Sequence, residues 1–256
     1  MKKLTIKNIY KKININPFFY FFGLVSIFTG FYKPFLILYL IIAIHEFGHI
    51  LMAILFKYKI IKVNIYPFGG YTIFENDINV PFIKEFMVFL GGILFQTIFL
   101  LLINNIVNTN SYFYRIYSNY NKNILFFNML PILPLDGGKL LNMILNHIFP
   151  YKSSYIKSIK ISYLIIILLV IYYHTNINLM LMIVLLIGLL VKEYKNIKYL
   201  FNRFLLERCI RKIKYRKNNF ILNREIEKMK KYKNNIFILN NQYIDEKEVL
   251  KKYFKI

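Results

Sequence analysis

Six apolar stretches dominate this chain: residues 17–32, 34–56, 86–107, 123–149, 158–174 and 177–191. A helix needs about 20 largely apolar residues to cross the hydrocarbon core of a bilayer, somewhat fewer when flanking Lys and Tyr reach out to the interface. The expected fold is therefore an all-α polytopic membrane protein with about six transmembrane helices. At 57% hydrophobic residues, the chain exceeds the 45–50% of a soluble domain. The same composition excludes disorder for most of its length. Charge divides the 256 residues unevenly. Residues 17–191 carry 11 Lys/Arg and 5 Asp/Glu, whereas residues 192–256 carry 19 and 7. The expected organisation is an apolar core over 1–191 and a small basic tail over 192–256.

The placement of Lys and Arg gives the orientation. With the N-terminus inside, the cytoplasmic segments hold 31 basic residues and the outer ones only Lys33, Arg115 and Lys122. Positive residues accumulate on the cytoplasmic side, so both termini are expected there, in a multi-pass protein of the cell membrane. The net charge of +23 is then accounted for by topology and by contact with anionic lipid, and nucleic acid is not an expected partner. The five lysines of residues 1–12 precede an apolar run without a small-residue cleavage site, which reads as an uncleaved first span. The single cysteine, Cys209, excludes an internal disulfide and a CxxC metal site.

The second stretch contains His45-Glu46-Phe47-Gly48-His49. On a helix, residues four apart lie about 40° apart on one face, so the two imidazoles can converge on one Zn²⁺. Glu46 sits about 100° around, close enough to serve a water at that ion without binding it. Ionisable side chains at mid-membrane are costly to bury and mark function. A catalytic zinc site needs a third protein ligand. Among the spans, the other acidic residue is Asp136, at matching depth in Asn128-Met129-Leu130-Pro131-Ile132-Leu133-Pro134-Leu135-Asp136-Gly137-Gly138. The two prolines remove backbone donors, so this fourth helix is expected to be broken. An opened helix at membrane depth is tolerated only where it lines protein or water. His147 and His174 lie at the inner and outer ends of their spans. His147 is the first alternative ligand.

Residues 60–73 are β-branched and aromatic, with Gly69-Gly70 at an expected turn. They read as a short re-entrant hairpin at the inner face, able to capture an unwound substrate as an added strand. Asn128 offers a carboxamide that both donates and accepts, suited to a substrate backbone.

His45–His49 together with Asn128–Gly138 resemble the site-2 protease family of intramembrane zinc metalloproteases, peptidase family M50. The resemblance extends over roughly residues 17–191. It implies that His45, His49 and Asp136 hold one Zn²⁺, that Glu46 is the catalytic base, and that Asn128, Gly69 and Gly70 serve substrate binding. Pro67-Phe68-Gly69-Gly70 is similar to the family's stretch after the HExxH helix. Gly91-Gly92-Ile93-Leu94-Phe95-Gln96 is similar to its Gly-Pro motif, with Ile93 where Pro is usual. Six spans, the motif in the second, and only about 15 residues at 108–122 resemble the stage IV sporulation protein FB type. That resemblance implies a membrane-associated pro-sigma factor as substrate, with an anti-sigma factor or a signal-peptide remnant as the alternatives, and possible inhibitory membrane partners. The tail segments Asn235–Asn240 and Asp245–Leu250 are similar to the strand and last helix of one CBS motif, a truncated form. Outside the protease class, the same ligands would suit a zinc transporter, which needs no base beside them.

Overall fold

The structure, a computed structural model, describes residues 13–66, 69–75, 78–211, 213, 215–239 and 242–255. Helices dominate: α1 (Pro17–Phe28), α2 (Tyr32–Leu55), α3 (Phe82–Ile106), α4 (Tyr112–Met129), α5 (Asp136–Ile148), α6 (Tyr151–Tyr173), α7 (Ile177–Ile210) and α8 (Glu246–Phe254). Of these, α2, α3 and α6 are each long and apolar enough to cross a membrane. The purely helical expectation needs correction, because two three-stranded sheets are present. In one, β1 (Ile13–Ile15) runs parallel to β2 (Lys59–Tyr66), which pairs antiparallel with β3 (Gly69–Glu75). In the other, β4 (Asn218–Leu222), β5 (Asn234–Leu239) and β6 (Gln242–Asp245) follow the same order and sense. The hairpin expected at 60–73 is thus present and extended by a strand from ahead of α1. Its connecting residues Pro67 and Phe68 lie outside the described residues. Gly69 and Gly70 open β3, opposite Tyr66 and Ile65.

The chain divides into two compact units. The first ends at Asp77 and resumes over Ile83–Asn128; the second takes Ile78–Phe82 and everything from Met129 onward. In the first unit, Ile37 and Ile41 of α2 pack with Ile103 of α3 and Tyr117 of α4. Small residues set how closely α2 and α3 approach. A Cβ on Gly48 would fall 2.3 Å from the Gly91 carbonyl oxygen, and one on Gly91 2.6 Å from that of Gly48. This is the backbone-to-backbone contact by which helices associate where no hydrophobic force drives them. The stretch expected as a loop at 108–122 is mostly the first half of α4.

In the second unit the fourth apolar stretch is interrupted, as its prolines require. The helix stops after Met129 and restarts at Asp136, with a cis Leu133–Pro134 peptide between. The break frees backbone donors that lipid cannot satisfy. One of them, Leu133 N, donates to Ser162 Oγ of α6 at 2.9 Å. Ser154, Ser158 and Ser162 form a fully buried row on α6. Each hydroxyl donates to a carbonyl four residues earlier. α6 and α7 part at His174-Thr175-Asn176, where the Asn176 side chain caps Leu179 N at 3.3 Å. α7 then continues to Ile210 without pause, so the expected boundary at residue 191 lies inside a helix.

Arg208, fully buried near the end of α7, ties the tail together. Its guanidinium pairs with Glu246 Oε2 at 2.8 Å and with Asn79 Oδ1 at 3.1 Å. It also donates to the carbonyls of Lys230, Lys231 and Lys233. Around it Tyr151, Phe204, Leu205, Ile221, Met229, Phe237 and Leu250 make one apolar core. Arg208→Met would leave the Glu246 carboxylate in that core without its cation, held only by Asn235 N and Nδ2. The expected cost is about 3–5 kcal/mol, read as a lowered unfolding midpoint and as proteolysis within 212–256 that the parent protein resists.

Candidate metal centre

His45 and His49 stand one turn apart on α2, both buried. Their outer ring nitrogens are fixed by partners that settle the tautomers. His49 Nδ1 lies 2.8 Å from the Val88 carbonyl oxygen, which can only accept, so Nδ1 carries the proton. His45 Nδ1 lies 2.9 Å from Gln96 Oε1. The Gln96 amide cannot be turned the other way, because its Nε2 donates to the Asn121 carbonyl at 3.0 Å. His45 Nδ1 must therefore donate as well. The two Nε2 atoms face each other at 3.1 Å. Zinc at about 2.05 Å from each nitrogen in a tetrahedral site would separate them by about 3.3 Å, so the donor set fits the ion.

Gly92 makes room for the rings. A Cβ there would sit 2.4 Å from His49 Nε2 and 2.8 Å from His45 Cε1. Asp136 opens α5, where a carboxylate is favoured by the helix dipole. It is buried, and Lys139 Nζ donates to its Oδ1 at 3.0 Å. Gly137 and Gly138 allow the chain to close on itself behind Asp136: their Cβ atoms would fall 2.2 Å from Met129 O and 2.4 Å from Ile132 C. His45 and His49 are thus a buried imidazole pair in the first unit, and Asp136 is a buried carboxylate in the second. Glu46 is half-buried, one residue along α2, and Asn128 is half-buried in the last turn of α4. His147 is engaged elsewhere, its ring packed on Phe82 and Tyr232 with centroids 4.4 and 4.7 Å away. His174 is exposed at the end of α6. Sequence reasoning passed over the roles of Gln96, Lys139 and Ser162; the one available signal was a polar residue within an otherwise apolar stretch.

The model of the peptidase family M50 matches residues 34–111 and 103–173, more than half the chain and both candidate motifs. The chain belongs to peptidase family M50. It is a zinc-dependent intramembrane metalloprotease acting on a membrane-bound protein substrate. It is 34% identical over 205 residues to stage IV sporulation protein FB of Bacillus subtilis, covering 77% of this chain and 71% of that protein. It is 29% identical over 137 residues to a zinc metalloprotease of Methanocaldococcus jannaschii, half of this chain and 38% of that one. Among solved structures, the site-2 protease from M. jannaschii superposes with a TM-score of 0.54 at 26% identity, over 71% of this chain and 89% of that one.

Proposed function

We propose that this metalloprotease holds its zinc through His45, His49 and Asp136 and uses Glu46 as general base. The observation that carries the reading is the buried His45–His49 pair, each Nδ1 held by an acceptor and the two Nε2 atoms 3.1 Å apart. Bound zinc supplies Lewis acidity, polarising a peptide carbonyl and making water acidic enough to lose a proton near neutral pH. Glu46 takes the proton of the attacking water and hands it to the departing amine. Asn128 holds the unwound substrate backbone with its carboxamide, and the β2–β3 hairpin, led into β3 by Gly69 and Gly70, receives that backbone as an added strand. Lys139 offsets part of the Asp136 charge through their ion pair.

The wider reading has six spans with both termini in the cytoplasm, a 1–191 protease core and a 192–256 basic tail built on one CBS-like motif. Its support is the asymmetry of 31 inner against 3 outer basic residues. The likeness to the B. subtilis sporulation protein supports a membrane-tethered pro-sigma factor as substrate. The tail's 19 basic residues suit anionic lipid or a docked substrate domain, and inhibitory membrane partners would act at the same cytoplasmic side.

The deciding measurement is zinc content with cleavage in purified variants. The parent is expected to hold one zinc per chain and Asp136→Ala to lose most of it, since two imidazoles alone make an incomplete site. His147→Ala should keep both zinc and activity. Full zinc and full cleavage in Asp136→Ala would remove Asp136 from the ligand set.

A further inference from the structure

We infer that Gln96 is a positioning residue for the zinc ligand His45, its Oε1 holding the Nδ1 proton so that Nε2 is presented to the metal. The inference rests on the reading of His45 as a ligand. Metal-binding imidazoles generally donate their second N–H to an acceptor that fixes the tautomer and ring angle. Here the acceptor is a neutral amide, with no exposure to solvent. It is held in the required orientation from behind, because the Asn121 carbonyl accepts from Nε2 at 3.0 Å and so leaves only the oxygen to face His45 at 2.9 Å. Three helices thus fix one ring: α2 carries it, α3 supplies its acceptor, and α4 sets the acceptor's direction. The neutrality of the amide matters. A carboxylate in this place would draw the Nδ1 proton towards itself and make the imidazole a stronger donor to metal. Gln96 fixes the geometry without that increase in ligand strength.

The substitutions separate this role from packing. Gln96→Leu keeps most of the volume and removes the acceptor. Gln96→Glu restores an acceptor at the same reach but places a carboxylate in a buried site. A positioning role predicts that Gln96→Leu weakens zinc binding by about 10–100-fold, measured by competition with a chromophoric chelator. It also predicts that Gln96→Glu, which keeps an acceptor facing His45 but sets its second oxygen against the Asn121 carbonyl, binds zinc more tightly than Gln96→Leu. A packing role predicts the reverse order, and that order would overturn the inference. His45→Ala serves as the control. If it retains zinc, the ligand assignment fails; if it loses zinc while Gln96→Leu does not, only the role of Gln96 fails. A readout on the unmutated chain covers the event that a variant does not fold. In the chelator-stripped, ¹⁵N-His-labelled protein, with the His45 signals assigned by their loss in His45→Gln, the Nδ1 of His45 is expected to be the protonated nitrogen. Protonation at Nε2 alone would overturn the proposal.

Discussion

Glu46→Gln is expected to keep its zinc and to lose cleavage by about 10²–10⁴-fold, the range that positioned acid–base groups contribute. The amide matches the carboxylate in size and in its half-buried place on α2, so the fold and the His45–His49 pair should be undisturbed. What it lacks is the capacity to take a proton from water and return it to the leaving amine. The comparison is direct: zinc content by metal analysis, and cleavage of a membrane-embedded substrate, on the same purified preparation. A zinc transporter built on the same ligands would have no use for that proton acceptor. Cleavage at the parental rate by Glu46→Gln would therefore remove Glu46 from the role of base.

Gly92→Ala is expected to be as damaging, by a steric route. The added methyl would fall 2.4 Å from His49 Nε2, 2.7 Å from His49 Cε1 and 2.8 Å from His45 Cε1, inside the roughly 3.5–4.0 Å at which carbon atoms rest. Both rings are pinned on their far sides, by Gln96 and by the Val88 carbonyl, so neither can turn away without breaking a buried hydrogen bond. Moving α3 outward would open the Gly48–Gly91 contact. Zinc affinity should fall by at least the 10–100-fold associated with loss of a supporting hydrogen bond, and cleavage with it. Gly188→Ala on α7 is the matched control. Its Cβ would meet nothing within 4 Å, and alanine is the better helix former by about 1 kcal/mol. Equal loss in both variants would mean that the protein is sensitive to any methyl added to a helix rather than to this one.

The chemistry was legible because it rests on local spacing. His45 and His49 announce a shared helical face by being four apart, and Pro131 and Pro134 announce the break that restarts a helix at Asp136. The apolar stretches were legible because lipid demands length and composition together. What escaped was set by partners distant in sequence. Gln96 closes a motif-like stretch but has no visible role until α2 and α4 bring His45 and the Asn121 carbonyl to its two ends. β1 is three residues long and polar at its centre, and gains strand geometry only from pairing with β2. The helical start of α4 at Tyr112 was hidden by a polar, Asn- and Tyr-rich sequence that lacks the apolar run of a span. The length of α7 was hidden in the opposite way: charge begins at Lys192, but the helix pattern does not change there.

α6 carries two attachments at a fixed spacing. Its first residue, Tyr151, donates its backbone N–H to Met229 of the tail at 2.9 Å, and Ser162 receives Leu133 from the segment that leads to Asp136. Eleven residues separate them, which on an α-helix is roughly 16 Å and about 20° past three whole turns, so both attachments emerge on nearly the same side. The helix therefore acts as a phase-locked ruler between the tail and the Asp136 segment. One residue inserted or deleted between Tyr151 and Ser162 would swing one attachment by about 100° relative to the other and shift it by 1.5 Å. Drift in this protein's lineage can lengthen the loop at 107–111 at small cost, while the reading frame of α6 over this interval admits substitution but no change of length.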